Sequence, residues 1–220
     1  MLVNLAYGRT GLPVEFPDNR TTVIEPTYLD GLPDQHGAVR GALEHPNGTA
    51  PLRELVNAGQ TVAISVCDIT RPMPSTTVLP LVLDALAHVP TDQIAILIAS
   101  GTHRATTHDE LVEMLGAAVV DRCRIVVHDA FDDTQLTSLG EVEGRIPVWL
   151  NRTWVEADIR VTTGFVEPHF FAGFSGGPKM VAPGLAGFET IMRLHDAEMI
   201  RHPNARWGVT EGNPIHDGVR

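Results

Sequence analysis

Apolar residues in this chain fall first into short runs and then into longer blocks separated by polar, glycine-rich breaks. Leu2 to Tyr7 and Leu12 to Phe16 flank Gly8-Arg9-Thr10-Gly11, a spacing that predicts an N-terminal β-hairpin. Thr21 to Gly48 is rich in proline, glycine and aspartate and reads as loop, with one short helix near Val39 to Leu43. Pro51 to Ala58 reads as a short helix stopped by Gly59. A more regular alternation follows. Strands are predicted at Thr61 to Cys67, Gln93 to Ala99, Arg124 to His128, Pro147 to Asn151 and Ala157 to Thr163. Helices are predicted from Thr76 to His88 with Ser75 as cap, and from Thr107 to Leu115. The second opens Thr107-His108-Asp109-Glu110, with a cap and acids in its first turn. Further helices occupy parts of Met180 to Ile200. This order predicts an α/β fold, a mostly parallel sheet flanked by helices, preceded by the hairpin. In such sheets ligands sit beyond the carboxyl ends of the strands. The chain stops at Arg220, just after Gly212-Asn213-Pro214, which reads as the start of another element. The expectation is therefore the first part of a longer protein.

Composition narrows the classes of function. Apolar content of 43% is that of a globular protein and excludes disorder. A net charge of −11 with no basic run argues against nucleic acid and anionic membranes as partners. Cys67 and Cys123 are the only cysteines, too few for a disulfide framework, and they read as buried free thiols. Residues Met1 to Phe16 lack a signal-peptide pattern, and no apolar run is long enough to span a bilayer. A reducing cytoplasm is expected.

The candidate chemistry lies where strands are predicted to end. Lys179 is the only lysine, beside fifteen arginines. Retaining a single amine in so arginine-biased a chain points to chemistry that a guanidinium cannot do, such as covalent attachment. Asp68 and Arg71 leave the first long strand together, stiffened by Pro72 and Pro74. A carboxylate orients a histidine, and a guanidinium grips a carboxylate. Ser100-Gly101-Thr102-His103-Arg104 presents His103 at the same edge. His169 follows the last predicted strand. Two histidines on one substrate can alternate as general base and general acid, which suits inversion of a stereocentre. Ser175, Gly176 and Gly177 form a potential anion nest next to Lys179. They are not a Walker A loop, because Pro178 precedes the lysine and no Ser or Thr follows it. A phosphate-bearing cofactor beside Lys179 fits better than a nucleoside triphosphate. His195 is a candidate metal ligand whose tautomer would be fixed by Asp196 or a backbone carbonyl. His103 and His108, five apart, make a poor zinc pair, and no three ligands show zinc spacing. The remaining six histidines read as structural or solvated.

Five motifs in order carry a family resemblance: Asp68-x-x-Arg71-Pro72, Ser100-Gly101-Thr102-His103-Arg104, Glu167-Pro168-His169-Phe170, Phe174-Ser175-Gly176-Gly177-Pro178-Lys179, and His195. Together they resemble the N-terminal domain of the nickel-pincer lactate racemase family, from the hairpin to the last residues. The resemblance implies that Lys179 carries a nickel-pincer nucleotide, a nicotinic-acid-derived mononucleotide joined through a thioamide. It implies that His195 is the protein's ligand to nickel, the other bonds coming from the cofactor's sulfurs and a pyridinium carbon. It also implies that His103 and His169 are the acid/base pair, and that Asp68 and Arg71 position substrate and histidines. The implied reaction is racemisation or epimerisation of a 2-hydroxy acid through a planar 2-keto acid, by hydride abstraction and return. The implied partners are cofactor-maturation proteins and a C-terminal domain in cis that closes over the cofactor, which residues 1–220 are expected to lack. A second reading keeps the fold without catalysis: a binding module holding a phosphorylated nucleotide or a sugar acid in the nest.

Overall fold

A computed structural model describes residues 1–25, 27–142 and 144–220. Pro26, in the stretch expected to be loop, lies outside the described residues. The chain divides into two compact units, Met1–Pro33 and Asp34–Arg220.

The first unit holds the expected hairpin. Strand β1 (Leu2–Leu5) pairs antiparallel with β2 (Leu12–Glu15), Leu2 opposite Glu15 and Leu5 opposite Leu12.

The second unit begins with α1 (Gln35–Glu44), longer than the helix expected near Val39 because Asp34 caps it through Gly37 N. Next come α2 (Leu52–Leu55), β3 (Val62–Cys67), α3 (Ser75–Ala85), β4 (Ile94–Ala99), α4 (His108–Leu115), α5 (Ala117–Arg122) and β5 (Arg124–Val127). The order continues with β6 (Leu136–Val142), β7 (Ile146–Asn151), α6 (Arg152–Glu156), β8 (Ile159–Thr162), the two-residue strands β9 (Pro168–His169) and β10 (Gly173–Phe174), α7 (Phe188–Leu194), α8 (Ala197–Arg201) and α9 (Pro214–Val219). The central sheet has the order β5-β4-β3-β8, all parallel.

The predicted alternation is therefore correct, with four local differences. Ser75 does not cap α3. Pro74 takes the N-cap position, and Ser75 is already helical and buried. The helix also ends at Ala85, not His88. The helix at Pro51 to Ala58 contracts to one turn, Val56 already being extended. Pro147–Asn151 lies in a strand but not in the parallel sheet: β7 pairs antiparallel with β6 in a separate ribbon. β6 escaped the sequence reading because only Leu136 of its seven residues is buried.

Successive side chains of a strand point to opposite faces, and β3 and β4 bury both. One face carries Val62, Ile64, Val66, Ile96 and Ile98 against Leu79, Val82 and Leu86 of the α3 region and Leu111 and Leu115 of α4. The other carries Ala63, Ala95 and Leu97 against Trp154, Ala157 and Leu185. Its small residues let the segment after Pro178 approach the sheet closely. A third cluster joins Ile146, Phe171, Ile191, Leu194, Met199 and Ile215 under α7, α8 and α9. No helix among the described residues is long and apolar enough to cross a membrane.

Candidate active site

The chain leaves β3 at Cys67 and turns through Asp68–Arg71, while β8, on the other side of β3, leads away through Gly164 and Phe165. The crevice above these ends, completed by the segment after β4 and by α7, is a cavity of about 370 Å³. Asp68, Arg71, His103, His169, Ser175, Lys179 and His195 all line it, with Phe188, Ile191 and Met192 as apolar wall. Gly176 and Gly177 adjoin Ser175 in sequence but are not part of the lining.

Asp68 is 6% exposed. Its Oδ2 lies 2.7 Å from His103 Nδ1. A carboxylate only accepts, so the imidazole donates from Nδ1 and presents a bare Nε2. The other oxygen, Oδ1, accepts from Thr70 Oγ1 at 2.6 Å, and Thr70 Oγ1 accepts in turn from Arg71 Nη1 at 3.2 Å. Thr70 thus ties the histidine's partner to the arginine. The sequence reading missed it, although Asp-x-Thr is a known turn signal. The next turn is clamped as well. Arg104 reaches both oxygens of Glu110, at 2.8 and 2.5 Å, and Glu110 completes the capping box with Thr107. Those bonds hold the Glu110 carboxyl down to about 2.

His169 stands differently. Its Nδ1 accepts from the backbone N–H groups of Ala172 (3.2 Å) and Phe171 (3.4 Å), which puts its proton on Nε2. Phe170 stacks on the ring and Phe171 meets it edge-on. Burial, then the nearby Lys179, Arg71 and His195, push its pKa down to about 4. The Nδ1–H tautomer of His103 turns a lone pair at Nε2 toward the cavity, whereas His169 holds its proton at Nε2.

Lys179 sits in a short 3-10 turn, Gly177–Met180, that is pinned to the sheet centre. Buried Ser65 donates from Oγ to Met180 O at 2.9 Å, and Gly184 N–H donates to Lys179 O at 3.1 Å. Gly184 has no room for a side chain, since a Cβ would lie 2.7 Å from Met180 O and 2.9 Å from Ala99 Cβ. Gly176, at φ +68°, opens the turn in the left-handed region that glycine favours. Burial first, and Arg71 second, lower the lysine's pKa to about 8. Its Nζ lies 5.5 Å from the Phe171 ring centre. Ser175 is already engaged: its hydroxyl donates to Phe165 O at 2.6 Å, and its N–H donates to Glu167 O at 2.8 Å.

His195 ends α7. Its Nδ1 bonds Ile191 O at 2.7 Å, so the backbone carbonyl, not Asp196, fixes the tautomer and leaves Nε2 as a free ligand atom. Asp196 instead caps α8 through Met199 N and pairs with Arg193. Burial lowers the His195 pKa. Among the described residues no group of three or more His, Cys, Asp or Glu is placed to hold a metal.

His128, read as structural or solvated, is buried and structural. Its Nε2 bonds Ala186 O at 2.9 Å and its Nδ1 faces Asn151 Nδ2 at 3.2 Å, while Ser100 Oγ donates to His128 O at 2.7 Å. This network joins the end of β5, β7 and the segment behind Lys179.

The fold and site define a parallel α/β domain with a lysine, a guanidinium and a carboxylate–histidine pair converging at the strand ends. Residues 7–208 match the lactate racemase N-terminal domain family, and the chain belongs to that family. It is 38% identical over 219 residues to a lactate racemase of Thermoanaerobacterium thermosaccharolyticum, covering 97% of this chain and 51% of that protein. It is 40% identical over 191 residues to a lactate racemase of Lactiplantibacillus plantarum, covering 86% and 45%. The chain thus spans about half the length of these relatives. Its fold superposes on the lactate racemase apoprotein from T. thermosaccharolyticum with a TM-score of 0.84 at 37% identity, over 100% of this chain and 52% of that one. A protein from Thermotoga maritima matches at 0.68 and 26% identity, over 87% and 48%.

Proposed function

We propose that this chain is the cofactor-bearing, proton-handling half of a 2-hydroxy acid racemase or epimerase that uses a nickel-pincer nucleotide. The observation that carries the reading is the convergence of Lys179, Arg71, the Asp68–His103 pair, His169 and His195 on one cavity. The residues fit the group. Lys179 is a desolvated amine suited to an acyl bond, and His195 offers a free Nε2. With no protein cluster of metal ligands among the described residues, a metal that brings most of its own donors suits the site. The Ser175–Gly177 loop, of which Ser175 lines the cavity, would lie near the cofactor. When bound, the group supplies an acceptor for the hydride on the substrate's C2 and a donor for its return.

The chain's own residues do the rest. Arg71 holds the substrate carboxylate. His103, with Nδ1 on Asp68, takes the hydroxyl proton at Nε2 from one enantiomer. His169 would hand its Nε2 proton to the oxygen of the flattened intermediate, the proton left on His103 passing through solvent to His169 to restore both rings, and for the opposite enantiomer the roles would reverse. The apolar wall of Phe188, Ile191 and Met192 limits water. A C-terminal half, as the length of the relatives suggests, would close over the cavity, and cofactor-maturation proteins would load Lys179. Co-expression with such proteins, followed by intact-mass and nickel analysis, tests the reading. A covalent mass gain at Lys179, lost in Lys179→Arg, is expected. Unmodified, nickel-free protein under those conditions overturns it.

A further inference from the structure

The chain holds only two primary amines, Lys179 and the N-terminus. The first borders the cavity with no carboxylate paired to it among the described residues. Arg71, His103 and His169 share the same space. A partly buried amine that shares a cavity with a guanidinium is, in its neutral form, a carbonyl nucleophile. A guanidinium next to it selects a carboxylate, and imidazoles supply and remove protons. A small molecule with a carboxylate adjacent to a carbonyl carries a partner for each of these groups.

We propose that in the cofactor-free chain Lys179 captures 2-keto acids as a reversible imine, the keto acid's carboxylate resting on Arg71. The Nζ lone pair attacks C2 and one of the nitrogen's two protons passes to the carbonyl oxygen, giving a carbinolamine. A histidine takes the nitrogen's remaining proton and delivers a proton to the hydroxyl oxygen, which leaves as water as the C=N bond forms. No oxidant or reductant is consumed. The inference rests on the 2-hydroxy acid reading, since a 2-keto acid is the oxidised form of such a substrate. Its consequence is competition: keto acid and cofactor require the same nitrogen, so keto acid delays loading.

The test is reductive trapping of the cofactor-free chain with pyruvate and borohydride near pH 8, then peptide mapping. The Met1 amine, the chain's other primary amine, is an internal reference. About tenfold more carboxyethyl label is expected on Lys179 than on Met1, and that excess disappears when acetone, which lacks the carboxylate, replaces pyruvate. Arg71→Met is expected to remove the excess on Lys179 and leave Met1 labelling unchanged. Equal labelling of the two amines, or the same preference with acetone, overturns the inference without needing any variant to fold. Cofactor loading of the same preparation separates the two claims. Loading without keto acid capture overturns this inference alone, and capture without loading overturns the nickel-cofactor reading.

Discussion

Replacing Lys179 by methionine changes how stability depends on pH, by an amount the site sets. The amine titrates near 8 in the fold against an ordinary 10.5, because burial and Arg71 disfavour its charge. Below pH 8 the folded chain therefore carries a cation that water would solvate better. Between 8 and 10.5 the unfolded chain binds the extra proton, so folding stability rises with pH. A displacement of that size is worth at most about 3 kcal/mol, and the partial exposure of the side chain brings the expected change to about 1–3 kcal/mol. Methionine removes the penalty, so the variant is the more stable protein at pH 7 and its advantage closes as the pH approaches 10.5. Cys67 and Cys123, whose thiols burial pushes up, tilt the curve the other way. They are common to both proteins and cancel in the difference. Guanidinium unfolding followed by circular dichroism at pH 7, 8, 9 and 10 measures the gap. A gap that stays constant or widens refutes the reasoning.

Gly184→Ala forces a Cβ against Met180 O and Ala99, and overpacking of this kind costs about 1–3 kcal/mol. Gly41→Ala, in open space on α1, has the opposite sign, about 0.5–1 kcal/mol of stabilisation, and melting temperatures of the two variants check the contrast. In cofactor-loaded protein, Asp68→Asn keeps the shape but loses the charge-assisted bond to His103. Under the proposed function, a loss of ~1.5–3 kcal/mol lowers turnover of a chiral 2-hydroxy acid roughly 10- to 150-fold, followed by polarimetry. His128, His169 and His195 are all held neutral by burial, so their contribution to stability is complete above about pH 6.5 and falls as acid protonates the unfolded chain first. The share from His169 continues to be lost down to about pH 4. Denaturation midpoints at pH 7, 6 and 5 measure the slope, and His128→Gln flattens it.

The parallel sheet was legible because β3 and β4 are unbroken apolar runs bounded by turns, and their burial on both faces demands such runs. Thr107 was legible as a cap because capping chemistry is local. β6 was not, since its partner β7 supplies the pairing and its own side chains face solvent. The site divides along the same line. Asp68, His103, His169 and Lys179 sit at strand ends and in glycine-rich turns, which sequence marks. The Ser65 hydroxyl under Met180 and the Asn151–His128 contact join residues that are 115 and 23 positions apart, and no local pattern announces them. The tautomers of His169 and His195 are likewise set by backbone groups whose positions only the folded chain determines.

The pin between Ser65 and Met180 also makes the lysine's environment a property of the assembled sheet. Ser65 accepts from Thr163 as well, 98 residues away, so the strand that supports the lysine turn is incomplete until β8 has docked. Contacts this distant in sequence carry a loop-closure cost that only the assembled sheet offsets. While the chain is being synthesised, Lys179 is an ordinary charged lysine. It becomes a reluctant cation only when the sheet, the turn and α7 have assembled around it. Any chemistry that selects the neutral amine therefore favours the folded chain, in which the Ser65 hydroxyl holds the lysine turn in place.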